Sequence, residues 1–154
     1  LFANCYFTLG GDAGIITTSI AYKKPICNVN KSMLLHLQGV HDKRNLNIFK
    51  KYWLINEKRF MGFKEIIDSG SGHLHMSEMY ENRGIELIEN TPDEILDVTK
   101  EIIARLNGTW KPETEDEKLQ KTFKEIYQKH EYSPVFRAKV GAKFLRQNQQ
   151  LLIT

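Results

Sequence analysis

Residues 5 to 29 set a strand, a turn, a short helix and a second strand in immediate succession, and this arrangement constrains the fold more than any other feature of the chain. CYFTL (5–9) is aromatic and apolar with β-preferring types, and PICNV (25–29) is a second apolar run opened by a proline. Between them ITTSIAYKK carries Ile16, Ile20 and Ala21 at helical spacing, with Lys23 and Lys24 where cations suit a helix carboxyl end. A strand, a helix and a strand this close together form a βαβ unit, which requires parallel strands and a right-handed crossover.

The junction of the first strand with the helix reads TLGGDAG, placing Gly10, Gly11, Asp12, Ala13 and Gly14 where the two elements meet. In an open parallel sheet, ligands bind at the carboxyl ends of strands, because backbone N–H groups and the positive end of the helix dipole face the crevice. Glycines there let a phosphate reach main-chain amides unobstructed, and Thr17 and Thr18 add hydroxyl donors. One reading is therefore a cradle for a diphosphate or nucleotide sugar. The other is a tight turn with Asp12 as N-cap, which accounts for Asp12 and one glycine. GGDAG is neither a dinucleotide fingerprint nor a Walker loop, so its spacing leaves both open. For Asp12 itself a capping role is favoured, since its carboxylate would oppose a phosphate on the same amides.

The chain has 154 residues, enough for one domain that buries most of its apolar surface. It opens at Leu1 directly into an apolar segment, as a piece of a longer protein would. No stretch approaches the length of a membrane helix. A net charge of +3, with Lys and Arg alternating with Asp and Glu, argues against nucleic acid as a partner. The densest basic stretch, HDKRNLNIFKKYW, reads as a solvated loop and helix end. Cys5 and Cys27 both fall in expected buried strands, which suits reduced thiols in a cytosolic protein.

Beyond residue 30 the patterns are uneven. KSMLLHLQGVHDKRN has no clean period and reads as a loop with a turn of helix, NIFKKYWLIN is open between strand and helix, and GFKEIIDSG is a short helix. GIELIE is a strand candidate, followed by a helix over NTPDEILDVTKEIIARLNG. There Thr91 is the N-cap, Pro92 the first helical residue and Glu94 the far side of a capping box, while Asn107 and Gly108 end the helix. Ile95, Val98, Ile102 and Leu106 form its buried stripe. Thr114 and Glu117 suggest a second capping box for EDEKLQKTFKEIYQKH, and Ser133 and Pro134 open a last helix over VFRAKVGAKFLRQNQQLL. The expected architecture is α/β, a Rossmann-like parallel sheet with flanking helices, ending in two or three helices. Residues 1–110 form the nucleotide-binding unit, truncated at its amino end, and residues 111–154 the terminal helices.

Other polar residues have two readings each. Glu65, in FKEI, suits paired hydroxyls of a sugar or ribose, or is an exposed helix acid beside Lys64. Lys50, Lys51, Lys58 and Arg59 would neutralise a diphosphate, or are solvated cations. His73 and His75 in SGHLH lack the acidic or cysteine partners of a metal site, so no metal is expected. Trp53 and Trp110 read as packing residues.

FTLGGDAGIITTSIAYKKPICNVN resembles the segment of GT-B glycosyltransferases that runs strand, small-residue loop, helix and "KP" strand. GIELIENTPDEILDVTKEIIARLNG resembles the closing strand and helix of the same domain. Together with FMGFKEIIDSG and AKVGAKFLRQNQQLL, these segments are similar to a family of bacterial glycosyltransferases of surface-polysaccharide and glycan biosynthesis. The resemblance covers most of residues 2–152 and implies the carboxyl-terminal, donor-binding half of a two-domain enzyme. It implies a nucleotide-sugar donor, a glycan or lipid-linked acceptor, no essential metal or other cofactor, and a partner in the missing amino-terminal domain that carries the catalytic base. It also implies a cytoplasmic location, with peripheral attachment to the inner membrane face compatible. Gly11, Asp12, Ala13 and Gly14 stand where the donor's phosphates or sugar would sit, and Glu65 falls in the family's "FxEI" segment. Ala13 departs from the serine common at that position, removing one hydroxyl contact. The fragment is expected to be inactive alone. Rival readings are a sugar-nucleotide epimerase of the same fold and a noncatalytic α/β interaction module.

Overall fold

The computed structural model describes residues 2–11, 13–36, 39–128 and 135–153. The opening βαβ unit is present: β1 (Thr8–Gly10), α1 (Ile16–Ala21) and β2 (Ile26–Lys31), the two strands parallel with Thr8 opposite Ile26. β1 lies later than CYFTL suggests. Cys5 precedes it and is half-buried, whereas Cys27 lies fully buried inside β2. Thr8 Oγ1 and the buried Ser19 Oγ lie 2.6 Å apart, tying β1 to α1.

The ambiguous NIFKKYWLIN resolves into two strands, β3 (Leu46–Phe49) and β4 (Lys51–Leu54), separated by one residue. β3 continues the parallel sheet beside β2, whereas β4 starts a second, antiparallel sheet with β5 (Arg59–Phe60). α2 (Phe63–Asp68) and α3 (Ser77–Glu81) follow. β6 (Ile85–Ile88), the GIELIE strand, pairs antiparallel with β4, so it lies outside the parallel sheet. Local pattern cannot distinguish these sheets, because the partner of a strand is chosen by the rest of the chain.

α4 (Pro92–Leu106) has the expected ends: the Thr91 hydroxyl accepts from the Glu94 amide, the Glu94 carboxylate accepts from the Thr91 amide, and Gly108 is left-handed. Val98 and Ile102 are buried, with Ile95 and Leu106 flanking them as α4 packs on β2 and β3. α5 (Asp116–Gln128) starts differently from expectation. Asp116, rather than Glu117, reaches back, accepting from the Glu113 amide at 2.8 Å, so only the returning half of a box forms, one residue earlier than Thr114 suggests.

The terminal segment is also corrected. Ser133 and Pro134 lie outside the described residues, and Lys139–Val140 form β7, which adds to the parallel sheet beside β3. Only then comes α6 (Ala142–Gln147), followed by a 3-10 turn at Gln149–Leu152. The strand forms because β3 offers an unpaired edge, a tertiary opportunity that helical spacing of Phe136, Val140 and Phe144 conceals. The parallel sheet thus runs β1-β2-β3-β7 and the antiparallel one β5-β4-β6.

An aromatic cluster joins the layers. Phe123 of α5 lies 5.1 Å from Phe63, 5.3 Å from Phe136 and 5.5 Å from Phe49, ring centre to ring centre. Each of these rings is buried, contributing about 2–3 kcal/mol of transfer free energy. Among the described residues no helix is long and apolar enough to cross a membrane.

Candidate site at the carboxyl end of the parallel sheet

β1, β2 and β3 run in one direction, so Gly10, Lys31 and Phe49 end at the same side of the sheet. The glycine-containing loop leaves β1 there and enters α1. Its glycines have different causes. A Cβ on Gly10 would lie 2.7 Å from Ile16 Cδ1, and one on Gly11 would lie 3.3 Å from the Val29 carbonyl oxygen. Packing of α1 and β2 therefore crowds these two positions, and the surplus of unexplained glycine is smaller than the sequence suggests. Gly14 is different: a Cβ there would meet nothing within 4 Å, and its φ lies outside the left-handed region.

Neither turn geometry nor crowding accounts for Gly14, which lies exposed. Its carbonyl accepts from the Thr17 amide at 3.1 Å and from the Thr17 hydroxyl. Ala13 N–H donates to the Gly11 carbonyl at 2.9 Å. The Gly14 and Ile15 amides donate to no acceptor among the described residues. Ile15, just before α1, makes no side-chain cap, and Asp12, the expected N-cap, lies outside the described residues. The helix thus starts with open donors in solvent. Thr17 is exposed and its hydroxyl is turned to Gly14; Thr18 is half-buried on the same turn.

Beside this loop the structure places two residues that sequence reasoning missed. Asn30, with φ of 52°, donates its amide to Asn90 Oδ1 at 2.6 Å, and Asn90 returns the bond to Asn30 Oδ1 at 2.6 Å. Asn90 Nδ2 also donates to the Phe49 carbonyl at 2.8 Å. This buried asparagine joins the ends of β2 and β3 to the start of α4. A Gly11 Cβ would stand 4.0 Å from Asn30 Cβ, so Asn30 lies against the loop at Gly11. The available signals were an asparagine just before TPDEI and another at the end of PICNVN, a residue type that tolerates the left-handed region.

Glu65 is not brought to this loop. It lies in a shallow depression of about 640 Å³ lined by Arg59, Lys64, Asp68 and Ser69. Arg59 grips it with two bonds of 2.7 Å, and Arg59 Nε donates to Glu57 at 2.7 Å. The guanidinium holds the Glu65 carboxyl below its usual range. Lys50 and Lys51, candidates for a diphosphate, are also engaged: Lys50 with Glu89 at 3.2 Å and Lys51 with Glu94 at 2.9 Å. The second pair is nearly buried and pins β4 to α4. Lys58 lies exposed at a left-handed turn.

Trp53 packs edge-on against Phe60, and Trp110 lies under Arg105, the guanidinium 4.7 Å from the ring centre. His73 Nδ1 lies 3.0 Å from His36 Nε2, a pairing across the fold. Among the described residues no three His, Cys, Asp or Glu side chains come together as a metal site. Comparison of the chain with family models, curated proteins and solved structures finds no match.

Proposed function

We propose that the chain is the nucleotide-sugar-binding half of a GT-B glycosyltransferase, moving a sugar to a glycan or lipid-linked acceptor in bacterial surface-polysaccharide assembly. The observation that carries this reading is the α1 junction. Open amides at Gly14 and Ile15 stand at the carboxyl end of a parallel strand, beside a glycine that packing does not explain. Donors of this kind stabilise charge that develops on a leaving diphosphate, and they do so without reorganising. Gly10, Gly11 and Gly14 shape the approach, Ala13 contributes only backbone, and Thr17 and Thr18 line the first turn. Asp12 belongs to the same loop.

In this reading the reaction is displacement at the anomeric carbon of a sugar nucleotide, with the general base on the partner amino-terminal domain and no essential metal. Glu65 is locked by Arg59, so it would meet a hydroxyl ligand only as part of that fork. The site of action would be cytoplasmic, where nucleotide sugars are supplied.

The test is thermal unfolding of the intact protein with UDP, GDP, ADP or CMP. A raised midpoint with one nucleotide, abolished by Gly14→Val, supports the reading. No rise with any of them refutes it and leaves a noncatalytic module. Interconversion of sugar nucleotides without release of free nucleoside diphosphate would instead assign an epimerase.

A further inference from the structure

The amino end of the parallel sheet carries a second polar feature, independent of the donor reading. Two basic segments that are separate in sequence, YKK at 22–24 and HDKR at 41–44, meet there. Arg44 Nη2 donates to the Lys23 carbonyl at 2.9 Å, and its Nε and Nη2 grip Asp42 at 3.1 and 2.6 Å. Between the segments lies a hollow of about 360 Å³, lined by Lys23, Lys24, His41 and Arg44 with Ile20 and Asn45. Asn45 makes its wall rigid, accepting from the Ile26 amide and donating to the Gly39 carbonyl, each at 2.8 Å.

The charge is one-sided. Among the described residues Asp42 is the only carboxylate lining the hollow, and Arg44 already occupies it. Lys23 and Lys24 have no ion pair among the described residues, and Lys43 adds a further exposed cation. Ile20 at 45% and Tyr22 at 53% exposure give the rim an apolar edge.

We propose that this hollow binds a phosphate-bearing ligand. A phosphate group presents several acceptor oxygens and more than one charge, which matches cations converging from two loops, and the exposed Ile20 and Tyr22 offer contact to the body that carries it. The phosphate can belong to a soluble compound or to a phospholipid headgroup.

Two measurements separate these sources. The protein is titrated calorimetrically with inorganic phosphate at low ionic strength, and sedimented with vesicles of phosphatidylglycerol or of phosphatidylcholine. The variant is Lys23→Asn with Lys24→Gln; asparagine suits the φ of 52° at residue 23. Saturable phosphate binding that weakens with salt, and roughly fivefold for each charge removed, supports a soluble ligand. Sedimentation with phosphatidylglycerol only, lost in the same variant, supports a headgroup. Lys24→Glu alone provides a second folded test. Binding in neither assay, or binding that ignores the lysine substitutions, overturns the proposal.

Discussion

Asn30 and Asn90 stand 60 positions apart, and each accepts the other's backbone amide at 2.6 Å. This exchange fixes where β2 ends and where α4 begins, with Asn30 lying next to Gly11 of the α1 loop. Asn90→Ala would leave the Asn30 amide and the Phe49 carbonyl without their partner in a buried place. The expected cost is about 2–4 kcal/mol, read as a lower urea midpoint, while Asn30→Gly, which keeps the left-handed backbone but leaves the buried Asn90 amide without its acceptor, should cost about 1–3 kcal/mol.

The glycines are expected to divide by substitution. Gly14→Val should leave the urea midpoint within about 0.5 kcal/mol of the parent, because nothing lies near the new side chain. Gly141→Ala should cost about 1–3 kcal/mol, since its Cβ would stand 2.9 Å from Ile48 Cγ2 and 3.2 Å from Val98 Cγ2 in the core. Equal effects at the two positions would contradict this assignment.

Glu101 provides a pH dependence. Its carboxylate accepts from the Ala142 amide at 2.7 Å and from Arg105 Nε at 2.8 Å, yet burial pushes its pKa above the ordinary 4.5 against both partners. A carboxyl raised in the folded state contributes stability that is full below the unfolded value and lost as pH rises through the folded one. The urea midpoint should therefore carry a component that falls with rising pH above 4.5. Glu101→Gln should remove that component. Asp42 and Glu65, both held low by arginine partners, act on the other side: their contribution is lost as pH falls through their lowered folded values.

The two cysteines should differ in reactivity. Burial pushes the Cys27 thiol up to about 12, with the Glu101 charge adding to the effect, and the side chain is fully enclosed in β2. Cys5 is half-buried outside the sheet. Alkylation of the native protein, followed by mass spectrometry, should label Cys5 first and reach Cys27 only with unfolding.

The parallel βαβ opening and α4 were legible because their signals are local. Thr91, Pro92, Glu94 and Gly108 act on neighbours within one helical turn, and Gly10 to Gly14 mark one junction. The carboxyl-end site was half legible for the same reason: the loop could be located, but Asn30 and Asn90 could not be paired, since nothing in either segment refers to the other. Arg59 illustrates the converse. As a lone residue it suits a diphosphate, but in the folded chain the Glu57 and Glu65 carboxylates occupy it.

By itself, then, the sequence determined the capped helix, the order of the first strands and the place of the glycine loop, because hydrogen bonds between near neighbours and side-chain periodicity fix these. Only the tertiary structure decided that KYWL and IELI leave the parallel sheet, that Lys139–Val140 join it, and that Gly10 and Gly11 are crowded by packing while Gly14 is not. Strand partnership and steric crowding are properties of contacts between distant segments, and such contacts exist only once the chain has closed on itself.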